Sequence, residues 1–528
     1  MDASGLFSVF VRDFRTLEAW PVRNSAGAHS VFWGPDDRSI YFTARGSVRR
    51  STVEGDSYQV VSDSPAIISS VVSLPSANLL LSGASGTFTV SASGGALQPV
   101  KESYRWSRVL PDGKHILHTV FDPAIGRHRA RVARFGEPGT GKNLLETDSR
   151  TLYAPSVARP GNGYLLSVRA GDLLAHPFDL NSLRVTGAPI AVARRVYTFF
   201  NTRAADFSVS HTGVLAYLKY VGRSQLAWLN RKGEVIETVG PAGVNLKYAT
   251  LAPDGSRIAT SILDLVSGIP EIWIIDSATG AARRMFAPGL SVFPVWSPDS
   301  QQLVYGRGIP GSGPKLFIRG IGNNEKEEAL SPDFFQVPTD WSRDGRFVAY
   351  TNTGIVQVEN EFKGDIQLVD LARNRQVVPL LSTPFHEASP AFSPDGQWLA
   401  FTSNESGRTE VYLQAFQAGD FPKVSGERFL VSRHGALCLR WRRDGRELFY
   451  VGADGRLYAV PLKLSGRPDI GTPVAIFDIS LEARGAVHAP LGFDISADGN
   501  RFLVPIATSS ERSEIVVIQN WEAEVTPN

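Results

Sequence analysis

The sequence repeats one motif eleven times, in which an apolar run ends in a short turn and a second apolar run follows. The clearest turns are variants of Pro-Asp-Gly and contain Asp36, Asp112, Gly113, Asp254, Gly255, Asp299, Asp344, Gly345, Asp395, Gly396, Asp444, Gly445, Asp498 and Gly499. Degenerate copies lie at Ser76-Ala77, Asn162-Gly163 and Thr212-Gly213. Successive copies are 36 to 54 residues apart. This period is typical of a four-stranded propeller blade and exceeds that of helical repeats of about 34 residues.

The turn chemistry predicts hairpins. Proline presets the backbone for a turn, and Asp-Gly tolerates the positive φ that a tight reversal requires. Aromatic residues such as Trp296, Trp341 and Phe392 precede the turns and supply large apolar surfaces for packing between sheets. No amphipathic helical window of about 11 residues stands out. The predicted fold class is therefore all-β, a β-propeller.

Eleven turns exceed the usual 4 to 8 blades of one ring, so we predict two consecutive six-bladed propellers of four-stranded antiparallel blades. The predicted domains are an N-terminal propeller, residues 1–242, and a C-terminal propeller, residues 243–528. Residues 6–11 and 16–22 are interpreted as the last two strands of an incomplete first blade. Residues 514–519 are expected to complete the C-terminal ring, which would then close on its own.

Charge is distributed unevenly along the chain. Residues 1–242 hold 27 Lys and Arg against 19 Asp and Glu, whereas residues 243–528 hold 27 against 33. This difference could dock one half on the other, steer an anionic partner to the first half, or serve solubility alone. Cys438 is the single cysteine, which excludes a disulfide framework. No run approaches the roughly 18 to 20 apolar residues of a membrane helix.

Catalytic signatures are missing from the sequence. The segment 136–143 satisfies a phosphate-loop pattern up to Asn143, which replaces the magnesium-binding Ser or Thr. There is no G-x-S-x-G elbow, and the nine histidines are dispersed. The row Arg127, Arg129 and Arg131 lacks the interleaved aromatics of a nucleic-acid platform, so no nucleic-acid partner is predicted. We predict no catalytic, cofactor-binding or metal-binding residue and no cofactor.

One loop is a candidate for ligand contact. Asn404, Glu405 and Arg408 lie between two strongly predicted strands, and Gly407 can adopt the positive φ of a turn. These polar side chains could face a ligand. Glu405 and Arg408 could equally pair with each other or with backbone groups and hold the loop in place.

Longer strings carry a family resemblance. They are GDLLAHPFD at 171–179, LRVTGAP at 183–189, EASPAFSPDG at 387–396, SNESGRTEVY at 403–412, DGRELFY at 444–450 and the closing Asn520-Trp521. The repeats resemble TolB-like, WD-type propeller repeats of bacterial envelope proteins. Together the strings resemble the propeller region that follows the kinase domain in bacterial transmembrane serine/threonine protein kinases, well represented in acidobacteria.

The resemblance implies binding and not phosphorylation, because the chain has no glycine-rich loop, His-Arg-Asp loop or Asp-Phe-Gly motif. It implies a non-enzymatic sensory or scaffolding region of an envelope signalling system, with a protein or peptide partner and a periplasmic or other extracytoplasmic location. The segment 1–11 lacks the features of a secretion signal. We expect either a stand-alone relative or a fragment that starts inside a blade.

Two other functions stay open at this point. One is a propeller-type lyase or glycosidase with its site at the mouth of a central channel. A deep pocket with two histidines or paired carboxylates would favour that enzyme. The other is a purely structural module that spaces other domains.

Overall fold

A computed structural model describes residues 8–525 except 35, 45, 64–67, 75–77, 84–85, 103, 123–126, 138, 199–204, 220–222, 265–268, 286–288, 309–313, 323–325, 332, 334–335, 354–356, 359–360, 363, 434, 480–491 and 509–513. The degenerate turn at Ser76-Ala77 and the apolar residues Leu6 and Phe7 lie outside the described residues. The predicted all-β class is confirmed, since the described residues form strands throughout, apart from one short 3-10 helix and one helical turn.

The strands of the N-terminal part come in consecutive sets. They are β1 (Phe10–Arg12), β2 (Ala19–Pro21), β3 (Ala28–Trp33), β4 (Ser39–Ala44), β5 (Ser47–Thr52), β6 (Tyr58–Asp63), β7 (Ile68–Ser73), β8 (Asn78–Gly83), β9 (Gly86–Ser91), β10 (Gln98–Val100), β11 (Arg105–Val109), β12 (His115–Asp122), β13 (Arg127–Arg134), β14 (Lys142–Thr147), β15 (Thr151–Pro155), β16 (Asn162–Arg169), β17 (Asp172–Asp179), β18 (Arg184–Val185), β19 (Ile190–Ala193), β20 (Phe207–Val209) and β21 (Val214–Lys219).

The rest of the chain continues in the same manner. Its strands are β22 (Ser224–Leu229), β23 (Val235–Leu251), β24 (Arg257–Asp264), β25 (Ile269–Asp276), β26 (Ala282–Arg284), β27 (Leu290–Trp296), β28 (Gln302–Gly308), β29 (Lys315–Gly320), β30 (Glu328–Ala329), β31 (Gln336–Trp341), β32 (Phe347–Asn352), β33 (Gln357–Val358), β34 (Glu361–Phe362), β35 (Asp365–Asp370), β36 (Gln376–Leu381), β37 (Glu387–Phe392), β38 (Trp398–Ser403), β39 (Glu410–Gln417), β40 (Lys423–Leu430), β41 (Ala436–Trp441), β42 (Glu447–Gly452), β43 (Arg456–Lys463), β44 (Asp469–Ile470), β45 (Val474–Asp478), β46 (Asp494–Ile495), β47 (Phe502–Ala507) and β48 (Glu514–Gln519). A 3-10 helix covers Leu371–Arg373, and α1 covers Glu522–Val525.

Four-stranded antiparallel meanders are the recurring unit. Examples are β3-β4-β5-β6, β11-β12-β13-β14 and β37-β38-β39-β40, in which each strand pairs with the next along the chain. The first strands of successive sheets contact one another, as β11 contacts β7 and β15, and β37 contacts β31 and β41. Sheets that pack face to face around their first strands are the arrangement of a propeller. The number of blades in each ring stays a prediction.

The turns show why the motif reverses the chain. At Asp344 the carboxylate Oδ1 accepts the main-chain N–H of Arg346 at 3.0 Å and the hydroxyl of Ser342 at 2.6 Å. Gly345 follows at φ +77°. The Ser342 hydroxyl oxygen also accepts the N–H of Phe347, the first residue of the next strand, at 2.8 Å. One Ser and one Asp side chain thus satisfy the backbone groups that the turn leaves unpaired.

Strands in the middle of the chain pair with strands near its C-terminal end. β22 pairs with β47, and β23 pairs with β22 through its first part and with β24 through its last part. The predicted boundary between residues 242 and 243 therefore falls inside one continuous strand. Division of the chain into two propellers stays a prediction.

The expectation that residues 514–519 complete the C-terminal ring is wrong. β48 pairs antiparallel with β21, from Val214 opposite Gln519 to Lys219 opposite Glu514. Trp521 and Val525 then enter a core that they share with Leu166 and Phe207 of the N-terminal sheets. The physical reason is that this pairing supplies a third strand to β20 and β21 and buries a large aromatic side chain.

Candidate binding site

A cleft of about 600 Å³ lies beside the predicted loop, at the turn between β38 and β39. We call it the arginine cleft, and its lining residues are Ser406, Gly407, Arg408, Glu410, Leu430 and Arg433. Gly407 stands at φ +89°, and its N–H donates to the carbonyl of Asn404 at 2.9 Å, which closes the turn. The positive φ explains why glycine occupies this position.

The base of the cleft is a repeated structural element. Glu410 is 2% exposed and accepts the Nε–H of Arg408 at 2.6 Å and the N–H of Gly435 at 3.1 Å. In another sheet, Glu271 accepts Arg284 at 3.2 Å and the N–H of Gly289 at 3.1 Å. Because the same arrangement recurs, Glu410 holds the connection between sheets. The negative charge of Glu410 is therefore already balanced by its ion pair with Arg408.

The structure separates the three predicted loop residues. Asn404 Oδ1 accepts the N–H of His386 at 2.8 Å, and Glu405 pairs with Arg428. Arg408 lines the cleft, and besides its pair with Glu410 it donates to the carbonyl of Arg433. Asn404 and Glu405 thus hold the loop, which is one of the two roles left open by the sequence. Arg408 combines a structural contact with a 57% exposed side chain at the cleft.

Sequence reasoning missed Leu430 and Arg433. Leu430 ends β40 with 44% exposure, and Arg433 is exposed in the connection to β41. Among the described residues, no ion pair or hydrogen bond of the Arg433 side chain is found. A guanidinium such as that of Arg433, beside an exposed side chain such as Leu430, can contact a ligand surface that is partly polar and partly apolar. The only signal in the sequence is a polar connection after a strand, which is too common to single out.

Three further charged residues meet where the first strands of the C-terminal sheets converge. Asp340 on β31 accepts the N–H of Phe392 at 2.7 Å, and Asp494 on β46 accepts the N–H of Leu251 at 2.7 Å. Arg440 on β41 places its Nε 3.8 Å from Asp494. Asp340 therefore joins its sheet to a neighbouring one, and Asp494 joins β46 to the last part of β23.

Burial dominates the electrostatics of Asp340. It raises the pKa of Asp340 to about 6, opposed by the N–H of Phe392 and the charge of Arg440 and reinforced by the charge of Asp494. Sequence reasoning missed these residues, although each stands directly before the aromatic or apolar residue that opens a repeat turn. A residue-by-residue alignment of the repeats would have shown charges at that position.

The other sequence candidates have structural partners. Arg129 forms an ion pair with Asp122 at 2.8 Å, and Arg131 donates to the carbonyl of Gly141 at 2.6 Å. The phosphate-loop lookalike lies between β13 and β14, and Lys142 opens strand β14 and donates to the carbonyl of Leu183 at 3.3 Å. A phosphate loop would instead open a helix.

Neither a metal-binding cluster nor a membrane-spanning helix is found among the residues that the structure describes. Within them, no group of three or more His, Cys, Asp and Glu side chains is placed to hold a metal ion. His434 and His488 lie outside this part of the chain. No helix in the described part has the length and apolar character needed to cross a membrane.

No protein-family model matches the chain. Two curated proteins are similar to parts of it. One is the uncharacterized peptidase YuxL of Bacillus subtilis, 28% identical over 159 residues, covering 29% of this chain and 21% of YuxL. The other is the Tol-Pal system protein TolB of Hahella chejuensis, 26% identical over 178 residues, covering 31% of this chain and 39% of TolB. The chain thus spans well under half the length of either relative.

Among solved structures, TolB from Acinetobacter baumannii is similar with 16% sequence identity and a TM-score of 0.36, covering 66% of this chain and 79% of that one. The sequence similarity to TolB agrees with the TolB-like propeller repeats predicted from the turns.

Proposed function

We propose that this protein is a non-enzymatic β-propeller that binds a protein or peptide partner, as a sensory or scaffolding part of a bacterial envelope signalling system. The observation that carries the proposal is the arginine cleft, where exposed Leu430 lies beside Arg408 and Arg433. A partner would place an apolar side chain on Leu430 and a carboxylate near Arg433. The match to a protein named for the Tol-Pal system supports the envelope setting.

The experiment is selection of displayed peptides on the purified chain, followed by calorimetry with the selected peptides. Arg433→Gln is expected to weaken binding by about tenfold, since a charge-assisted hydrogen bond contributes roughly 1.5 kcal/mol. Arg446→Gln, which removes the same charge from an 81% exposed side chain at a repeat turn, is the control. Equal affinity for the parent and Arg433→Gln would place the binding site elsewhere.

The enzyme alternative has one supporting observation. Asp340, with its raised pKa, shares the centre of the C-terminal sheets with Asp494 and Arg440. Acid and base pairs of glycosidases use carboxylates in unlike environments. Against this, both carboxylates already accept main-chain N–H groups of other strands. Turnover of nitrophenyl glycosides that is abolished by Asp340→Asn would favour the enzyme.

A further inference from the structure

A second group of arginines lies at the centre of the N-terminal sheets. Arg105 and Arg108 are on β11, and Arg150 directly precedes β15. β11 contacts β15, and β15 contacts β20, so these first strands adjoin one another, and the charge of Arg108 acts on Arg150. All three are half-buried. We call Arg105, Arg108 and Arg150 the central arginine group.

The three guanidinium groups differ in their contacts. Arg105 stacks over the ring of Trp106 with 4.5 Å to its centroid. Arg150 donates to the carbonyl of Phe207 and lies over the Phe207 ring at 5.5 Å, while its Nε is buried without a hydrogen-bond partner. The side chain of Arg108 has no hydrogen bond or ion pair with any described residue, while its main chain belongs to the β11–β12 pair. Most of its donors are therefore open to an added acceptor.

The electrostatics favour an added anion. Burial lowers the pKa of Arg108. Burial and the charge of Arg108 together lower the pKa of Arg150 to about 10, and Asp206 offsets only part of this effect. Two partly desolvated cations that repel each other gain when a negative group comes between them.

We propose that Arg108 and Arg150 form an anion-binding site that takes a carboxylate of an acidic peptide segment. A planar guanidinium matches a carboxylate through two parallel hydrogen bonds. Residues 1–242 carry 27 basic against 19 acidic residues, which would draw an acidic segment toward this half of the protein. The site is separate from the arginine cleft, so it does not depend on the function proposed for that cleft.

Calorimetry of the full chain with a tetraglutamate peptide tests the proposal. Arg108→Gln should weaken tetraglutamate binding by about tenfold, and Arg108→Lys, which keeps the charge, should weaken it less. Arg159→Gln is the matched control, because Arg159 is an exposed arginine of the same half. Circular dichroism of each variant checks folding.

Two further probes identify the chemistry. A tetraglutamine peptide should not bind, and inorganic phosphate should compete with tetraglutamate. Equal weakening by Arg108→Gln and Arg159→Gln would show that only diffuse charge is involved and would overturn the proposal. Binding of phosphate without binding of tetraglutamate would overturn the assignment to a peptide. If Arg108→Gln does not fold, Arg108→Lys serves as the test. An affinity of Arg108→Lys for tetraglutamate equal to that of the parent at every salt concentration would also count against the site.

Discussion

Asp340 is predicted to lower the stability of the folded protein at neutral pH. Burial raises its pKa from the usual 3.8 to about 6. The main-chain N–H groups of Phe392 and Trp341 and the charge of Arg440 oppose the rise, and the charge of Asp494 adds to it. One pKa unit corresponds to 1.36 kcal/mol, so a shift of roughly two units amounts to at most about 3 kcal/mol. Asp340→Asn keeps an oxygen for the N–H of Phe392 and removes the buried charge.

The pH dependence follows from the direction of the shift. Because the pKa is higher in the folded state, the folded protein holds this proton more tightly than the unfolded chain does. The stability contributed by Asp340 is complete below about pH 4 and is lost as the pH rises through 6. We therefore expect Asp340→Asn to be more stable than the parent at pH 7.5 by up to about 3 kcal/mol, and to lose that advantage at pH 4.

Urea unfolding followed by tryptophan fluorescence at pH 4, 5, 6 and 7.5 measures the difference. Asp498→Asn is the control, for which the expected change in stability at neutral pH has the opposite sign. Hydrogen bonds from Ser496 and Asn500 lower the pKa of Asp498 to about 2. That variant should be less stable than the parent at neutral pH, since a lowered pKa stabilises the folded state above the unfolded value. A constant loss of stability in Asp340→Asn at every pH would refute the reasoning.

Four other predictions concern separate parts of the chain. Trp521→Ala should destabilise the N-terminal sheets by about 3 to 5 kcal/mol in thermal unfolding, because a fully buried aromatic side chain is lost. ATP with magnesium should leave the melting temperature unchanged in the parent and in Lys142→Ala, and a shift abolished by that substitution would contradict this. Gly345→Ala should cost about 1 kcal/mol in urea unfolding because of its φ of +77°, whereas Gly419→Ala, in open space and without positive φ, should cost nothing. In hydrogen exchange, the two-stranded sheet β1-β2, with Phe10 63% exposed, should exchange before the four-stranded sheets.

The sequence was sufficient for the local architecture because the turns depend on neighbouring residues. Ser342, Asp344 and Gly345 lie within four positions, and their hydrogen bonds and positive φ are set by their own chemistry. The period of these turns then predicts meanders of four strands. The return of β48 to β21 could not be predicted in this way, because an apolar strand can pair with many edges.

The candidate site was only partly predictable for the same reason. Arg408 lies in a loop with a distinctive polar sequence, whereas Arg433 reaches it from 25 positions away, through a contact made only in the folded chain. Asn404 and Glu405 looked equally suited to a ligand, but their partners come from elsewhere in the chain, His386 from the connection before β37 and Arg428 from β40. Sequence can rank polar loops, but it cannot tell which side chains find partners.

The return of β48 also makes closure of the N-terminal sheets depend on the C-terminal strands. Lys219 and Glu514, which pair across β21 and β48, are 295 residues apart in sequence. When β22 pairs with β47, Ser224 lies opposite Ala507. The chain that must still be closed to pair β21 with β48 is then only about ten residues long. Shortening a flexible loop from about 300 to about 10 residues lowers its closure cost by roughly 3 kcal/mol. The folded C-terminal sheets therefore bring β48 next to β21, and with it Trp521 into the N-terminal core.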